Sequence, residues 1–189
     1  MPTFWETPEA ELLKQLLTKT TQPWPYWFMH RLNALIPMMG VESVILRQRE
    51  GIVEVLLTQR DGDDLDWPWY YHVPGSTVRD TDITLDRRPD EIYTSVLRRI
   101  WANELQLSQE KIDRITATKC DVIPWRHTRG GCISTIFLCQ AYAVEFPVGH
   151  FHPVHRLPQP FLGGQEILIT TAMAYLAAHS DFFCTGLPD

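Results

Sequence analysis

The stretch PDEIYTSVLRRIWANELQL, from Pro89 to Leu107, decides how this chain is read. Laid out at about 100° per residue, Ile92, Tyr93, Val96, Leu97, Ile100, Trp101 and Leu105 fill one broad apolar face, with Glu91, Ser95, Arg98, Arg99 and Ala102 opposite. The pattern predicts an amphipathic helix, with Pro89 near its start and Asp90 and Glu91 at the positive end of its dipole. Glu104 breaks the pattern, because it falls between Tyr93 and Leu97 in the middle of the apolar face. An ionised carboxylate there is costly unless a cation or several donors meet it. Two readings stand: a glutamate that bends out to solvent or pairs with an arginine, and a functional acid kept where burial disfavours it.

Working upstream, Ser43 to Arg49 and Ile52 to Arg60 are β-branched runs joined at Glu50-Gly51, which predicts a hairpin. An acidic loop, Asp61 to Asp66, leads into the aromatic patch Trp67-Pro68-Trp69-Tyr70-Tyr71-His72 and then Val73-Pro74-Gly75. Ser76 to Arg88 reads as a polar surface loop. Downstream, strands at Ile115 to Ile123 and Cys132 to Val144 flank the loop from Trp125 to Gly131. A Pro/His-rich loop spans Phe146 to Pro160, and Gln165 to Ala178 closes the chain as an amphipathic helix on Ile167, Leu168, Tyr175 and Leu176. Residues 1–40 read as a short helical extension, with Thr7 as cap, Pro8 in the first position and a stripe of Leu12, Leu13, Leu16 and Leu17. Residues 41–189 are then one mixed α/β domain.

Composition narrows the function. With 189 residues, 44% of them hydrophobic and 21% charged, the chain can bury a core without staples, which excludes global disorder. A net charge of −6 argues against a general nucleic-acid binder, which needs a basic footprint, but leaves room for a small anionic ligand. Cys120, Cys132, Cys139 and Cys184 contain no Cys-x-x-Cys pair, against a zinc knuckle or a disulfide framework and in favour of a reducing compartment. Met1 to Ala10 has no apolar core and no run reaches the length of a membrane span, so the expectation is a cytoplasmic protein without membrane contact.

The helix and its surroundings resemble the Nudix hydrolase superfamily. That family's signature is a Gly, five residues, a Glu, seven residues, then Arg-Glu-U-x-Glu-Glu-x-Gly-U, with U a bulky aliphatic. Here the Pro74-Gly75 turn follows a hairpin, Glu91 precedes Arg99 by seven intervening residues, and Ile100-Trp101-Ala102-Asn103-Glu104-Leu105-Gln106-Leu107 follows. Ile52 to Arg60 is similar to the family's strand before this loop, and Phe151-His152-Pro153-Val154-His155-Arg156-Leu157-Pro158 with the last helix is similar to its C-terminal end. The resemblance covers roughly Val41 to Ala178. It departs in four places: Gly75 and Glu91 are 16 positions apart where the family has six, Ile100 and Asn103 stand where the family has acids, and Gln106 replaces a Gly.

The resemblance implies a Nudix-type α/β/α sandwich with a mixed β-sheet, and hydrolysis of a nucleoside diphosphate linked to another moiety with Mg²⁺ or Mn²⁺ as cofactor. GDP-mannose mannosyl hydrolases lack the same two acids and keep the Glu that matches Glu104. By that likeness Glu104 is the metal ligand, joined by the Gly75 carbonyl and Glu145, while Glu91 and Arg99 pair and brace the helix. The family branch has a His as general base where this chain has Phe146, so sugar-transfer chemistry does not carry over. The alternative is a catalytically silent Nudix fold that binds a nucleotide or a protein partner, which Ile100 and Asn103 favour.

Other residues carry two readings each. Arg126 and Arg129, with His127, could clamp a pyrophosphate bidentately or form a solvated hairpin tip. Trp67, Trp69, Tyr70 and Tyr71 could stack a base, with Trp69 the candidate, or alternate members could pack into the core while the others anchor the loop. His150, His152 and His155 read as a Pro-rich surface loop before they read as metal ligands. The expected partner is a small-molecule nucleotide derivative, and assembly as a homodimer is compatible with the sequence.

Overall fold

A computed structural model describes residues 37–83, 88–127 and 130–179. Thr7, Pro8 and the Leu12 to Leu17 stripe lie outside the described residues, as do Thr128 and Arg129.

Strand β1 (Met38–Arg49) organises the molecule. It begins inside the stretch assigned to the helical extension and ends at Glu50 and Gly51, with φ of 52° and 77°. Two consecutive left-handed residues give the twist that a two-residue hairpin needs, and they return the chain as β2 (Ile52–Gln59), antiparallel to β1. One edge of β1 is shared by two partners. Leu46 to Arg49 pair with β2, whereas Gly40 to Glu42 pair with β4 (Gly75–Thr77). At the split, the Ser43 N–H donates to the Pro74 carbonyl at 2.8 Å. The other edge of β1 pairs in parallel with β6 (Gly130–Ala141), and β5 (Ile115–His127) flanks β6 antiparallel. Strands β3 (Tyr71–His72) and β7 (His150–Pro153) complete a seven-stranded mixed sheet on β2.

Alternation along the strands sends side chains to two cores. Val41, Ile45, Leu56 and Phe137 face α1 (Pro89–Asn103) and α2 (Gln109–Ile112), packing on Val96, Leu97, Ile100, Trp101, Leu105 and Ile112. Val44, Leu46, Leu57, Ile136 and Leu138 face α3 (Glu166–Ala178), packing on Leu168, Ile169, Ala172 and Leu176. The result is a three-layer α/β/α sandwich around a mixed sheet. Each helix buries a stripe that it could not cover alone. No helix among the described residues is long and apolar enough to cross a membrane.

Several sequence expectations need correction. The segment from Trp125 to Gly131 is largely ladder rather than loop: Trp125 pairs with Cys132 and Arg126 with Gly131. The antiparallel pairing of β5 with the next strand, β6, runs on through this segment as far as His127 and Gly130. The Phe146 to Pro160 stretch contains β7, which finds the open edge of β2. Ser76 to Arg88 starts as strand β4 and continues into a 3₁₀ turn at Asp80–Asp82. In α3 the buried positions are Leu168, Ile169, Ala172 and Leu176, while Ile167 is exposed.

Candidate functional site

Gly75 is the centre of the site, and the reason it is a glycine is steric. A Cβ there would collide with the carboxylate of Glu42, its register partner on β1. Glu42 shares the phase of Val44 and Leu46, so it rises on the α3 side of the sheet. Only 6% of it is exposed, and the Ser134 hydroxyl donates to its Oε1 at 3.0 Å. Burial pushes the Glu42 carboxyl up to about 7, against that hydrogen bond, and the neighbouring Glu104 adds to the rise.

Glu104 comes to Gly75 from the end of α1. It is the C-cap residue, still with right-handed helical dihedrals (φ −87°, ψ −41°) and its N–H on the Ile100 carbonyl, so its side chain stays on the sheet-facing side where the helical wheel places it. Its Oε2 accepts the Gly75 N–H at 3.2 Å and its Oε1 accepts the Thr58 hydroxyl at 2.8 Å. Burial again dominates and raises the carboxyl to about 7, while the two donors and the charge of Arg60 pull the other way.

Thr58 also lies 3.1 Å from His72 Nε2, and His72 Nδ1 lies 2.9 Å from the Val73 carbonyl. A carbonyl can only accept, so the ring carries its proton on Nδ1 and leaves Nε2 as an acceptor. Burial and the charge of Arg60 press His72 down to about 4, so it is neutral at pH 7. Its 3.6 Å approach to Glu104 is therefore not an ion pair. The Thr58 hydroxyl has one proton and two clients. When Glu104 is ionised Thr58 donates to it, and when Glu104 is protonated Thr58 can accept from it and donate to His72.

Two cavities open along β4. One, of about 140 Å³, is lined by Glu42, Arg60, Trp67, His72, Trp125 and Gln165 among others. Arg60 is tied to Asp64 at 2.8 Å and lies over the Trp67 ring. The second, of about 260 Å³, lies at the end of α1 between Ser76, Arg79, Arg99, Ile100, Asn103 and Glu104. Ser76 lines both.

Arg99 is not paired with Glu91, and this corrects the expectation from the sequence. Its Nη2 reaches Asp82 at 2.8 Å and the Thr77 carbonyl at 2.9 Å, and its Nη1 donates to Ser76 at 2.9 Å. Asp82 is nearly buried and also accepts the Arg79 N–H at 2.9 Å. Burial alone would raise its carboxyl, but the bonds to Arg99 and Arg79 hold it below the usual range. Glu91 sits instead at the exposed start of α1, where its carboxylate accepts the Arg88 N–H at 2.9 Å. The residues between Gly75 and Glu91 thus bring their own acid, seven positions after the glycine, and that acid takes the arginine.

The remaining predicted residues are dispersed. Glu145 is exposed in the segment between β6 and β7, its carbonyl accepts from Lys111 at 2.9 Å, and it lines neither cavity. Trp69 is 60% exposed and covers Gly62, whereas Trp67 lines the first cavity together with Trp125. Of Arg126 and His127 the described part is the backbone, in β5. Glu42, Thr58, His72, Arg79 and Asp82 were not singled out from the sequence. Glu42 had a legible signal, an acid in the inward phase of a hydrophobic strand. Asp82 had none, since only the fold brings it to Arg99.

The donor set does not fit a resident divalent metal. Magnesium asks for near-octahedral oxygen coordination, and Ile100 and Asn103 give the end of α1 no acid beside Glu104. Both Glu104 oxygens already accept from protein donors, and what Gly75 presents to it is an N–H. Glu42 reaches Gly75 with the α3-facing side chains, away from the second cavity. Among the described residues, no three His, Cys, Asp or Glu side chains are grouped to hold an ion.

No known family pattern matches the chain, and no curated protein sequence matches it. Solved structures do. The NUDIX domain of Shewanella oneidensis NrtR, crystallised with ADP ribose, superposes with a TM-score of 0.53 at 16% identity, covering 90% of this chain and 99% of that domain. Whole NrtR gives 0.53 at 16% identity over 76% of this chain, which spans 65% of NrtR; a complex of that protein with a 27mer DNA has also been solved. A Caenorhabditis elegans Ap4A hydrolase gives 0.53 at 13% identity, over 75% of this chain and 98% of the hydrolase. With its split strand β1, its parallel β1–β6 pair and a helical layer on each face, this chain has the Nudix fold.

Proposed function

We infer that this chain binds a nucleotide derivative, a nucleoside diphosphate joined to a second moiety, along β4, and that it does so without a resident divalent metal. The observation that carries this reading is the end of α1, where Glu104 is the one acid and its oxygens are bonded to Thr58 and Gly75. The first cavity supplies what a base or sugar needs: the Trp67 and Trp125 indoles and polar groups on Glu42 and Gln165. The likeness to a NUDIX domain crystallised with ADP ribose supports the ligand class. The net charge of −6 supports a small molecule over nucleic acid.

The second reading is metal-dependent hydrolysis of the same ligands, and the observation in its favour is that Glu104 lines the larger cavity. One experiment separates the two. ADP-ribose, a dinucleoside polyphosphate, a nucleoside diphosphate sugar and a nucleoside triphosphate are titrated calorimetrically in EDTA and in Mg²⁺ or Mn²⁺, with product release followed in parallel. Binding in EDTA without product is the expected result. Metal-dependent product that Glu104→Gln abolishes would overturn it in favour of the hydrolase.

A further inference from the structure

We propose that the cavity at the end of α1 is an anion site, taking the diphosphate of the ligand directly on Arg79, Ser76 and Asn103 with no metal between. The proposal rests on the nucleotide reading above and adds the contacts that replace the metal.

The charge comes from Arg79. Its backbone N–H is tied to Asp82 at 2.9 Å, which fixes where the side chain starts. Arg79 lines the cavity and is exposed, and its positive charge also acts on the buried Asp82 behind it. Arg99, the other cation of the cavity, is already committed to Asp82, Ser76 and the Thr77 carbonyl. That commitment has a use. By donating to the Ser76 oxygen, Arg99 fills an acceptor position and leaves the hydroxyl proton to be given elsewhere. Ser76 therefore faces the cavity as a donor, beside the exposed amide of Asn103.

The groups that would repel an anion are turned aside. Glu104 points its oxygens at Thr58 and the Gly75 N–H. The negative end of α1 is also partly capped, because the Ile100 carbonyl accepts from Glu104 and Leu105 and the Trp101 carbonyl from Leu107. A guanidinium with two neutral donors is a common way to hold phosphate oxygens. Ile100 and Asn103, which spoil the cavity for a cation, leave it suited to an anion.

Two substitutions distinguish this site from a metal site by opposite signs. The full chain is titrated with inorganic pyrophosphate and with ADP-ribose, in EDTA and at low salt. Arg79→Gln should weaken both ligands by about tenfold to a hundredfold, the range for losing a charged hydrogen bond. Glu104→Gln should bind both at least as tightly as the unmodified chain, because it removes a negative charge. Since Arg79 is exposed, its substitution leaves folding intact, which an unchanged melting temperature verifies. Binding that requires magnesium, or is lost in Glu104→Gln, would overturn the proposal. Unchanged affinity in Arg79→Gln overturns it too, yet leaves the nucleotide reading standing if ADP-ribose still binds. Arg79-dependent pyrophosphate binding without any nucleotide binding does the reverse.

Discussion

A carboxyl group buried against Gly75 is a weak acid, and its sign can be read from thermal stability. Glu42 is held at about 7 in the folded chain, above its ordinary value of 4.5. Below pH 4.5 both folded and unfolded forms are protonated and no penalty exists. From there to about pH 7 the unfolded chain releases a proton that the folded chain keeps, so stability falls as pH rises and then levels off. Glu104 is raised in the same way and adds to that slope, so Glu42→Gln should reduce it without abolishing it and melt higher than the unmodified chain at pH 8; an unchanged slope would mean that Glu42 is ionised throughout. Thr58→Val removes the hydroxyl shared by Glu104 and His72. It should destabilise the chain by about 1–3 kcal/mol and raise the Glu104 carboxyl further, measurable by carboxyl-carbon NMR titration. Gly75→Ala tests packing rather than charge. Its methyl meets the Glu42 carboxylate, and a loss of about 1–3 kcal/mol is expected in denaturant unfolding.

At the level of elements, the acid that anchors α1 comes from outside the helix. Asp82 closes a short 3₁₀ turn through the Arg79 N–H and at the same time grips Arg99 on the third turn of α1, so one carboxylate sets both the turn and the helix. Asp82→Ala should cost about 2–3 kcal/mol, reduced from the fully buried case because Arg99 keeps some contact with water. Glu91→Ala, by contrast, removes an exposed cap and should cost at most about 1 kcal/mol. Urea unfolding of the two variants gives the order, and a larger loss for Glu91 would restore the pairing expected from the sequence. Asp82 is held below its usual pKa, so its contribution is present at neutral pH and is lost on acidification. The unmodified chain should therefore lose its advantage over Asp82→Ala as the pH falls below about 4.

Across the whole molecule, local signals were legible where one element carries them. The Glu50-Gly51 hairpin, the span of α1 and the anomaly of Glu104 all came from spacing within a single segment. The helix ends at Asn103 rather than at the expected Leu107, yet Glu104 keeps helical dihedrals and turns to Thr58 on the sheet, the side the wheel gives it. What could not be read is what several elements build together. Glu42 meets Gly75 across a strand pair, and Thr58 meets Glu104 over 46 positions of chain. Arg126 and Arg129 drew notice as a pair within one loop, whereas Arg79 gains its meaning from Arg99 and Asn103, which belong to another element. The parallel pairing of β1 with β6 has a consequence during synthesis. Met38 lies opposite Cys132, so the inner edge of β1 waits for a partner made about 90 residues later. At about 5–20 residues per second on the ribosome that is about 5–20 s, with a hydrophobic strand edge open to other chains. A nascent chain halted before Gly130 should be cut readily by protease, and one extended past Ala141 should resist it. Cellular yield would then depend on how quickly translation crosses that interval, and on whatever shields β1 while it waits.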